Sequence, residues 1–118
     1  MEAATDLTAV QARLRSFRDA REWGRFHSPG NLAKAISVEA AELLELFLWT
    51  GGEGEDKVLG THRAEVEAEL ADVMIQCLNL ANAVEIDVIA AINRKIDVNE
   101  ERYPPDQVRG SARKYTEL

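Results

Sequence analysis

The 118-residue sequence contains a single cysteine, three prolines and no long uninterrupted apolar run. Because one cysteine, Cys77, cannot form an internal disulfide, nothing in the sequence indicates an oxidising compartment, and the cytoplasm is the expected location. The apolar stretches are far shorter than the roughly 18 residues that a membrane span needs, and the first residues lack the basic-then-apolar pattern of a signal peptide. We therefore expect neither export nor membrane insertion.

Basic residues are also few, with 14 Lys and Arg against 21 Asp and Glu and a net charge of −7. Such a chain repels the phosphate backbone of nucleic acids and anionic membrane surfaces, so neither is an expected partner. The hydrophobic content of 46% is enough for a packed core, and the length suits one domain, predicted over residues 1–118.

Period-2 alternation, the pattern of a β-strand, is absent, whereas four segments show the helical period. The predicted fold class is therefore all-α, a four-helix bundle with helices over about 5–21, 29–49, 61–84 and 87–103. Their predicted starts are Thr5 or Asp6, Ser28 followed by Pro29, Thr61 or a near neighbour, and Asp87. The acidic, glycine-bearing segment 50–60 is predicted to be a flexible loop, and residues 106–118 a basic tail after Pro104 and Pro105.

Acidic residues occupy positions on the second helix where apolar residues belong. Glu39 lies near the centre of a stripe that contains Leu32, Ile36 and Leu43, and Glu42 lies at its margin one turn on. Burying an isolated charge costs several kcal/mol or more. The position of Glu39 therefore indicates a carboxyl group that is neutralised, paired with a base or bound to a metal.

The third helix repeats this arrangement. Its predicted core stripe includes Leu70 and Val84, and Glu69, Asp72, Gln76 and Asn79 lie along one margin of that stripe. Two such helices can surround a common point with four carboxylates, and hard oxygen ligands of this kind select Mg²⁺ or Mn²⁺. Acidic pairs three residues apart are also frequent on solvated helix faces, and on that interpretation Glu69 is a surface residue. We assign Glu45, Glu65 and Glu67 to the surface or at most to an outer shell.

The fourth helix places Asn99 inside its apolar stripe, with Lys95 one turn earlier beside it. Next to a bound metal, a lysine and an amide would suit a polyphosphate, although Lys95 is equally typical of a surface side chain. Trp23 and Trp49 lie near the ends of the first two helices; tryptophan belongs more often to the core, and base stacking is the functional alternative.

At these residues the sequence resembles the all-α nucleoside triphosphate pyrophosphohydrolases of the MazG-like superfamily, and within it the branch of dCTP pyrophosphatases. The pattern is E-x-x-E followed by E-x-x-D, formed here by Glu39, Glu42, Glu69 and Asp72. The match continues through REWGRFHSPGNLAKAISVEAAELLELFLW, VEAELADVMIQCLNLANAVEIDV and RGSARKYTEL, which together cover most of the chain.

This resemblance implies Mg²⁺-dependent hydrolysis between the α and β phosphates of a nucleotide, which gives a monophosphate and pyrophosphate. It makes the four acidic residues the metal ligands. It also implies a set of substrate-binding residues, comprising Trp23, His27, Asn31, Trp49, Lys95, Asn99, Lys114 and Tyr115. The charges agree, because a triphosphate approaching four carboxylates needs divalent ions between them. We expect Glu39 or Glu42 to act as the general base.

Base specificity and assembly are left open by the sequence. Gln76 stands where the animal dCTP enzymes of this family commonly carry tyrosine; an amide can still contact cytosine, while dUTP, dTTP or a modified base are alternatives. A noncatalytic helical interaction module is the alternative from another class. Four helices do not shield the acidic seam on both faces, so we expect a dimer, and the resemblance suggests a tetramer built from two dimers.

Overall fold

The computed structural model describes residues 3–118, and all regular secondary structure within them is helical. Two short 3-10 helices lie at Trp23–Phe26 and Tyr115–Glu117. The six α-helices of the described residues are α1 (Leu7–Ala20), α2 (Pro29–Glu45), α3 (Glu53–Thr61), α4 (Arg63–Val84), α5 (Val88–Arg102) and α6 (Pro105–Val108). The all-α prediction is confirmed, and the four predicted helices correspond to α1, α2, α4 and α5. No single helix among these residues is long and apolar enough to cross a membrane; α4 and α5 reach that threshold only when counted together.

The chain divides into two compact units. The first ends at Glu85 and contains α1 to α4, and the second comprises Ile86–Leu118 with α5, α6 and the last 3-10 helix. Glu85 ends α4 in the left-handed conformation, with φ of 57°. The division therefore falls before α5, well ahead of residue 106, where the sequence predicts the start of a tail.

The helix starts follow the predicted capping residues. The side chain of each cap accepts a hydrogen bond from the backbone N–H three residues on, at 2.8 Å for Asp6, 3.2 Å for Ser28 and 3.0 Å for Asp87. Pro29 occupies the first position of α2, where a missing N–H costs nothing. At the other end of α5, Tyr103 is the C-terminal cap before Pro104. The predicted caps at Asp6, Ser28 and Asp87 are confirmed, and so are the proline at the start of α2 and the end of α5 before Pro104.

The prediction of a flexible loop over 50–60 is wrong, because α3 occupies most of that segment. Gly52, with φ of 45°, precedes the helix in a conformation that few other residues adopt. Three acidic residues lie in the first turn of α3, where they interact favourably with the positive end of the helix dipole. Val58 of the same helix is buried. The segment was predicted to be a loop because it is rich in glycine, a residue that is typical of loops and unfavourable in helices. Thr61 is the last residue of α3, and its hydroxyl donates to the carbonyl of Lys57. Its neighbour His62 is the N-cap of α4, in agreement with the predicted start at Thr61 or a near neighbour, although the His62 side chain makes no capping hydrogen bond.

The helices of the first unit pack around α4, which contacts α1, α2 and α3. The buried apolar side chains are Leu32, Val58, Leu78 and Ala81. A buried amide pair joins α1 to α4: Gln11 Nε2 donates to Asn82 Oδ1 at 3.2 Å, and Asn82 Nδ2 donates to the Gln11 carbonyl at 3.1 Å. Because both amides have partners, polar groups can occupy this contact without an unsatisfied hydrogen bond.

Two stripe predictions differ from the observed burial. Leu70 and Val84, predicted to face the core, are exposed in the single chain, whereas Leu78 is buried. In addition, α2 ends at Glu45, and turns carry the chain to Trp49. Helical periodicity identified the helices, but the partner packed against each face determines which part of a broad apolar surface is buried.

Candidate functional site

Four carboxyl groups meet between α2 and α4. Glu39 and Glu42 lie one turn apart on α2, and Glu69 and Asp72 lie one turn apart on α4. One carboxylate oxygen from each lies within 4.8 Å of the others. The two helices pack against each other, so the spacing of three residues on each helix is what brings both pairs to one point. We call these four residues the acidic cluster.

The acidic cluster is only partly open to solvent. Glu39, Glu69 and Asp72 are half-buried, and Glu42 is exposed. The Oε2 atoms of Glu39 and Glu69 are buried and have no hydrogen-bond partner among the described residues. Such unsatisfied carboxylate oxygens are costly unless another group binds them.

Two carboxyl groups of the acidic cluster, those of Glu39 and Glu69, have raised pKa values. The hydrogen bond that a protonated Glu39 donates to Glu42 raises the pKa of Glu39, and removal from water and the neighbouring negative charges raise it further. Removal from water and the charge of Glu42 also raise the pKa of Glu69. Both shifts have the sign expected for carboxylates that lack a nearby cation.

The donor set fits a hard divalent cation. All four groups are carboxylates, two of their oxygens are buried without a partner, and no lysine or arginine of the described chain forms an ion pair with them. Oxygen-only ligand sets bind Mg²⁺, Mn²⁺ or Ca²⁺ in preference to zinc or copper. A cation there would satisfy the orphaned oxygens and remove the repulsion.

A cavity of about 550 Å³ borders the acidic cluster through Asp72. Its walls come from α1, the following 3-10 helix and α4; besides Asp72, the lining residues are Ala4, Val10, Arg13, Leu14, Phe17, Arg18, Trp23, His27, Ile75, Gln76 and Asn79. The volume is within the range of small-molecule sites. The lining combines aromatic, aliphatic and amide side chains with the charged groups of Arg13, Arg18 and Asp72. Such a mixture suits a ligand with a flat polar ring, such as a nucleobase.

Aromatic rings form one wall of this cavity. Phe17 and Trp23 meet edge to face, with ring centroids 5.8 Å apart, and Trp23 remains 45% exposed. The contact orients the indole, while its exposure leaves surface for a ligand to cover. Trp23 is therefore not a fully buried core residue, and its role in base stacking stays a prediction.

His27 lies on the same cavity in the turn between α1 and α2. Burial lowers the pKa of its imidazole, and the positive charge of Arg18 lowers it further. Its Nδ1 atom is buried without a hydrogen-bond partner in the described chain. A neutral ring with an unused nitrogen can donate to or accept from a ligand.

Gln76 and Asn79 form the polar part of the α4 wall. Asn79 Nδ2 donates to Gln76 Oε1 at 3.3 Å, one helical turn away. Asn79 is buried, at 9% exposure, and Gln76 is half-buried. The sequence predicted a substrate contact for Gln76 but placed Asn79 only at the margin of the stripe.

Two predicted binding residues of the first unit lie outside the cavity lining. Asn31 Nδ2 donates to the carbonyl of Phe26 at 3.2 Å, which ties the turn to the start of α2. Trp49 follows α2 in a left-handed conformation, with φ of 63°, and its side chain is 95% exposed. Their substrate roles stay predictions.

The second unit carries the remaining predicted binding residues. Lys95 and Asn99 are exposed on α5, four residues apart. The Tyr115 ring meets Tyr103 edge to face at 6.0 Å, with the guanidinium of Arg102 4.5 Å from its centre. The tail is therefore folded back on the end of α5, and Lys114 precedes its 3-10 helix. The substrate roles of these residues stay predictions.

Sequence reasoning missed the α1 wall of the cavity. In the sequence, Phe17 gives no signal beyond the helical period of apolar residues, and arginines such as Arg13 and Arg18 are ordinary on an exposed helix face. Only the packing of α1 on α4 shows that these side chains share a cavity with Asp72.

Comparison with known proteins shows the family to which the chain belongs. Residues 34–118 match the MazG-like family. The chain is 43% identical over 104 residues to human dCTP pyrophosphatase 1 and 40% identical to the rat protein of the same name; each alignment covers 86% of this chain and 61% of the relative. The chain thus spans about three-fifths of the length of these curated relatives.

A solved structure is also similar. The crystal structure of a pyrophosphatase from Archaeoglobus fulgidus superposes with a TM-score of 0.80 at 44% sequence identity. The alignment covers 88% of this chain and 97% of that one. The resemblance noted from the E-x-x-E and E-x-x-D residues is confirmed, and this chain belongs to the MazG-like family.

Proposed function

We propose that this protein is a nucleoside triphosphate pyrophosphohydrolase that cleaves its substrate to a nucleoside monophosphate and pyrophosphate. The observation that carries the proposal is the acidic cluster, with two buried unpartnered oxygens, on the border of a cavity that has an aromatic wall. Similarity to dCTP pyrophosphatases of mammals and to an archaeal pyrophosphatase supports the same activity.

Mg²⁺ is the proposed cofactor, with Mn²⁺ as a substitute. Glu39, Glu42, Glu69 and Asp72 would hold it, because their oxygens converge and are not neutralised by any described basic residue. When bound, the ion offsets the negative charge of the phosphates and makes the α-phosphorus more electrophilic.

The protein's own side chains are proposed to move the proton, hold the base and bind the phosphates. Glu39 or Glu42 accepts the proton of the attacking water. The raised pKa of Glu39 makes that carboxylate a better base than an ordinary one. Trp23 and Phe17 hold the base by stacking and edge contact, and the apolar wall excludes water from it. Lys95 and Asn99 are proposed to bind phosphate with help from the basic tail, and Lys114 and Tyr115 of that tail are proposed substrate-binding residues; this part of the proposal rests on the resemblance to the family.

The proposed substrate is dCTP or a modified dCTP, and the role is removal of that nucleotide from the cellular pool. The names of the mammalian relatives support this choice, and Gln76 supplies an amide at the cavity wall that can contact a pyrimidine edge. A preference for dUTP or dTTP is the alternative within the same chemistry. A noncatalytic helical module would have no need of orphaned buried carboxylates, and we do not favour it.

We further propose that the protein acts as a dimer or a dimer of dimers in the cytoplasm. The single chain exposes large apolar side chains on the two helices that carry the acidic cluster: Val38 and Leu44 on α2 are 57% and 65% exposed, and Leu70 and Met74 on α4 are also exposed. A second copy would cover such a surface. Trp49, which is almost fully exposed, is then available to complete a site together with a partner chain.

A substrate panel tests this proposal. Pyrophosphate and orthophosphate release are measured for the deoxynucleoside and ribonucleoside triphosphates, with Mg²⁺, with Mn²⁺ and with a chelator. We expect pyrophosphate release, fastest with a cytosine nucleotide and lost with the chelator. Primary release of orthophosphate, or no turnover of any nucleotide with either metal, would contradict the proposal.

A further inference from the structure

We infer that Asn79 is a positioning residue that orients the Gln76 amide and thereby makes the cavity favour cytosine over uracil or thymine. The inference rests on the proposed function in so far as the cavity receives the base of a nucleotide. It adds a residue that the sequence analysis did not assign to the site and a direction for the choice of base.

The first step is the hydrogen bond between the two amides. Asn79 Nδ2 donates to Gln76 Oε1, so the carbonyl end of the Gln76 amide is directed toward Asn79. No residue of the described chain accepts a hydrogen bond from the Gln76 Nε2 group. Since Gln76 lines the cavity, its NH₂ group is the end with hydrogen-bonding capacity left for a ligand.

The second step is the charge next to this amide. Asp72 lies one turn before Gln76 on α4 and lines the same cavity. A cation held by Asp72 would neutralise that charge. In the metal-loaded protein the orientation of Gln76 is therefore set by the hydrogen bond from Asn79 and not by Asp72.

The third step is the chemistry of the pyrimidine edge. The N3 atom of cytosine accepts a hydrogen bond, whereas N3 of uracil and thymine carries a proton and donates one. An oriented NH₂ group that faces N3 pairs with cytosine but opposes the N3–H of the other two bases. A freely rotating glutamine would present either end and would discriminate little, so the orientation set by Asn79 produces the selectivity.

The experiment compares the affinities of dCMP and dUMP by calorimetry with Mg²⁺ present, because monophosphates report base recognition without turnover. In wild type we expect dCMP to bind more tightly. In Asn79→Leu, the dCMP to dUMP affinity ratio should fall by roughly threefold to tenfold, the value of one hydrogen bond, with dUMP binding kept or improved. An unchanged ratio, or an equal loss for both ligands, would overturn the inference.

Asn82→Leu is the matched control. Asn82 is a buried asparagine on the same helix that bonds to Gln11 and does not line the cavity. Its replacement should lower the melting temperature and keep the affinity ratio of wild type. A change in the ratio as large as that of Asn79→Leu would show that any buried amide lost from α4 has this effect, which contradicts a specific role for Asn79.

A second variant tests whether Asn79 acts through Gln76. Gln76→Met removes the amide at similar size, so the affinity ratio should fall as in Asn79→Leu, and the double variant should fall no further. If Asn79→Leu does not fold, Gln76→Met alone decides, and an unchanged ratio refutes the inference. A wild type that binds dUMP more tightly than dCMP refutes it as well.

The same measurements separate this inference from the proposed function. Pyrophosphate release by wild type tests the reaction, whereas the monophosphate affinities test base recognition. An affinity ratio that falls in both variants, without turnover by wild type, would contradict the proposed reaction and support the role of Asn79. Turnover by wild type, together with an affinity ratio that is unchanged in both variants, would support the proposed reaction and contradict the role of Asn79.

Discussion

Replacing Glu69 by Gln removes one negative charge from the acidic cluster while keeping nearly the same shape. The four carboxylates, all within 4.8 Å, form six like-charge pairs, and three of these involve Glu69. Half of the repulsive pairs therefore disappear with this single substitution. Because repulsion and desolvation raise the pKa of Glu69 in the folded chain, we expect the metal-free variant to be as stable as wild type or more stable.

The response to metal should change in the opposite direction. A ligand that binds only the folded state at 100 times its Kd stabilises it by about 2.7 kcal/mol, or on the order of 10 °C in melting temperature for a domain of this size. The wild type should show an increase of this order with saturating Mg²⁺. Glu69→Gln should lose most of it, since an amide is a weaker ligand than a carboxylate for a hard cation.

Turnover should fall together with metal binding. Even outer partners of metal ligands cost about 10–100-fold in affinity or activity when changed, so loss of a direct ligand should reduce turnover by at least about a hundredfold. The matched control is Glu67→Gln, on the same helix two residues earlier. Glu67 is exposed and pairs only with Arg63 at 3.4 Å, so its variant should keep wild-type turnover and the full Mg²⁺ response.

Melting curves of wild type and both variants, with Mg²⁺ and with a chelator, are recorded beside a pyrophosphate assay. A Glu69→Gln variant that remains active and gains the full stabilisation from Mg²⁺ would remove Glu69 from the metal site. A surface role predicts that result, with a stability change within about 0.5 kcal/mol.

Three further predictions use the same assays. Trp23→Ala should weaken nucleotide binding by roughly 1–3 kcal/mol, the value of one stacking contact, and an unchanged KM would refute this. Trp49→Ala should change the free energy of unfolding by less than about 0.5 kcal/mol because the side chain is exposed, so any loss of affinity in that variant would report a ligand contact. Because the pKa values of Glu39 and Glu69 are raised in the folded chain, protonation of these two groups stabilises the folded state. This stabilisation is fully present below the pKa of glutamate in the unfolded chain, and it is lost as the pH rises through the pKa values of the folded chain. The melting temperature in chelator should therefore fall as pH rises through the glutamate range, relative to Glu69→Gln, and Mg²⁺ should abolish that difference.

The acidic cluster could be predicted from sequence because its geometry is local. A spacing of three residues places two carboxylates on one face of a helix, and Glu39 inside an apolar stripe indicated which face meets another helix. The convergence of the two pairs then required only that α2 pack on α4.

The cavity could not be predicted in the same way, because its walls come from residues that are far apart in the sequence. Phe17, His27 and Asn79 become neighbours of Asp72 only through the packing of α1 and its following turn on α4. Asn79 was placed at a stripe margin because a lone asparagine on a helix gives no sign of its partner. Helix α3 was missed for a related reason: Val58, its buried residue, is surrounded by acidic and glycine residues that are typical of loops.

The most direct test of the central proposal is the identity of the phosphorus products. In a ³¹P NMR time course with dCTP, Mg²⁺ and the wild-type protein, we expect dCMP and pyrophosphate to appear together in equal amounts from the first points. Glu69→Gln under the same conditions should leave dCTP intact. Formation of dCDP and orthophosphate, or cleavage by the variant at the wild-type rate, would contradict an acidic cluster that directs attack to the α-phosphate.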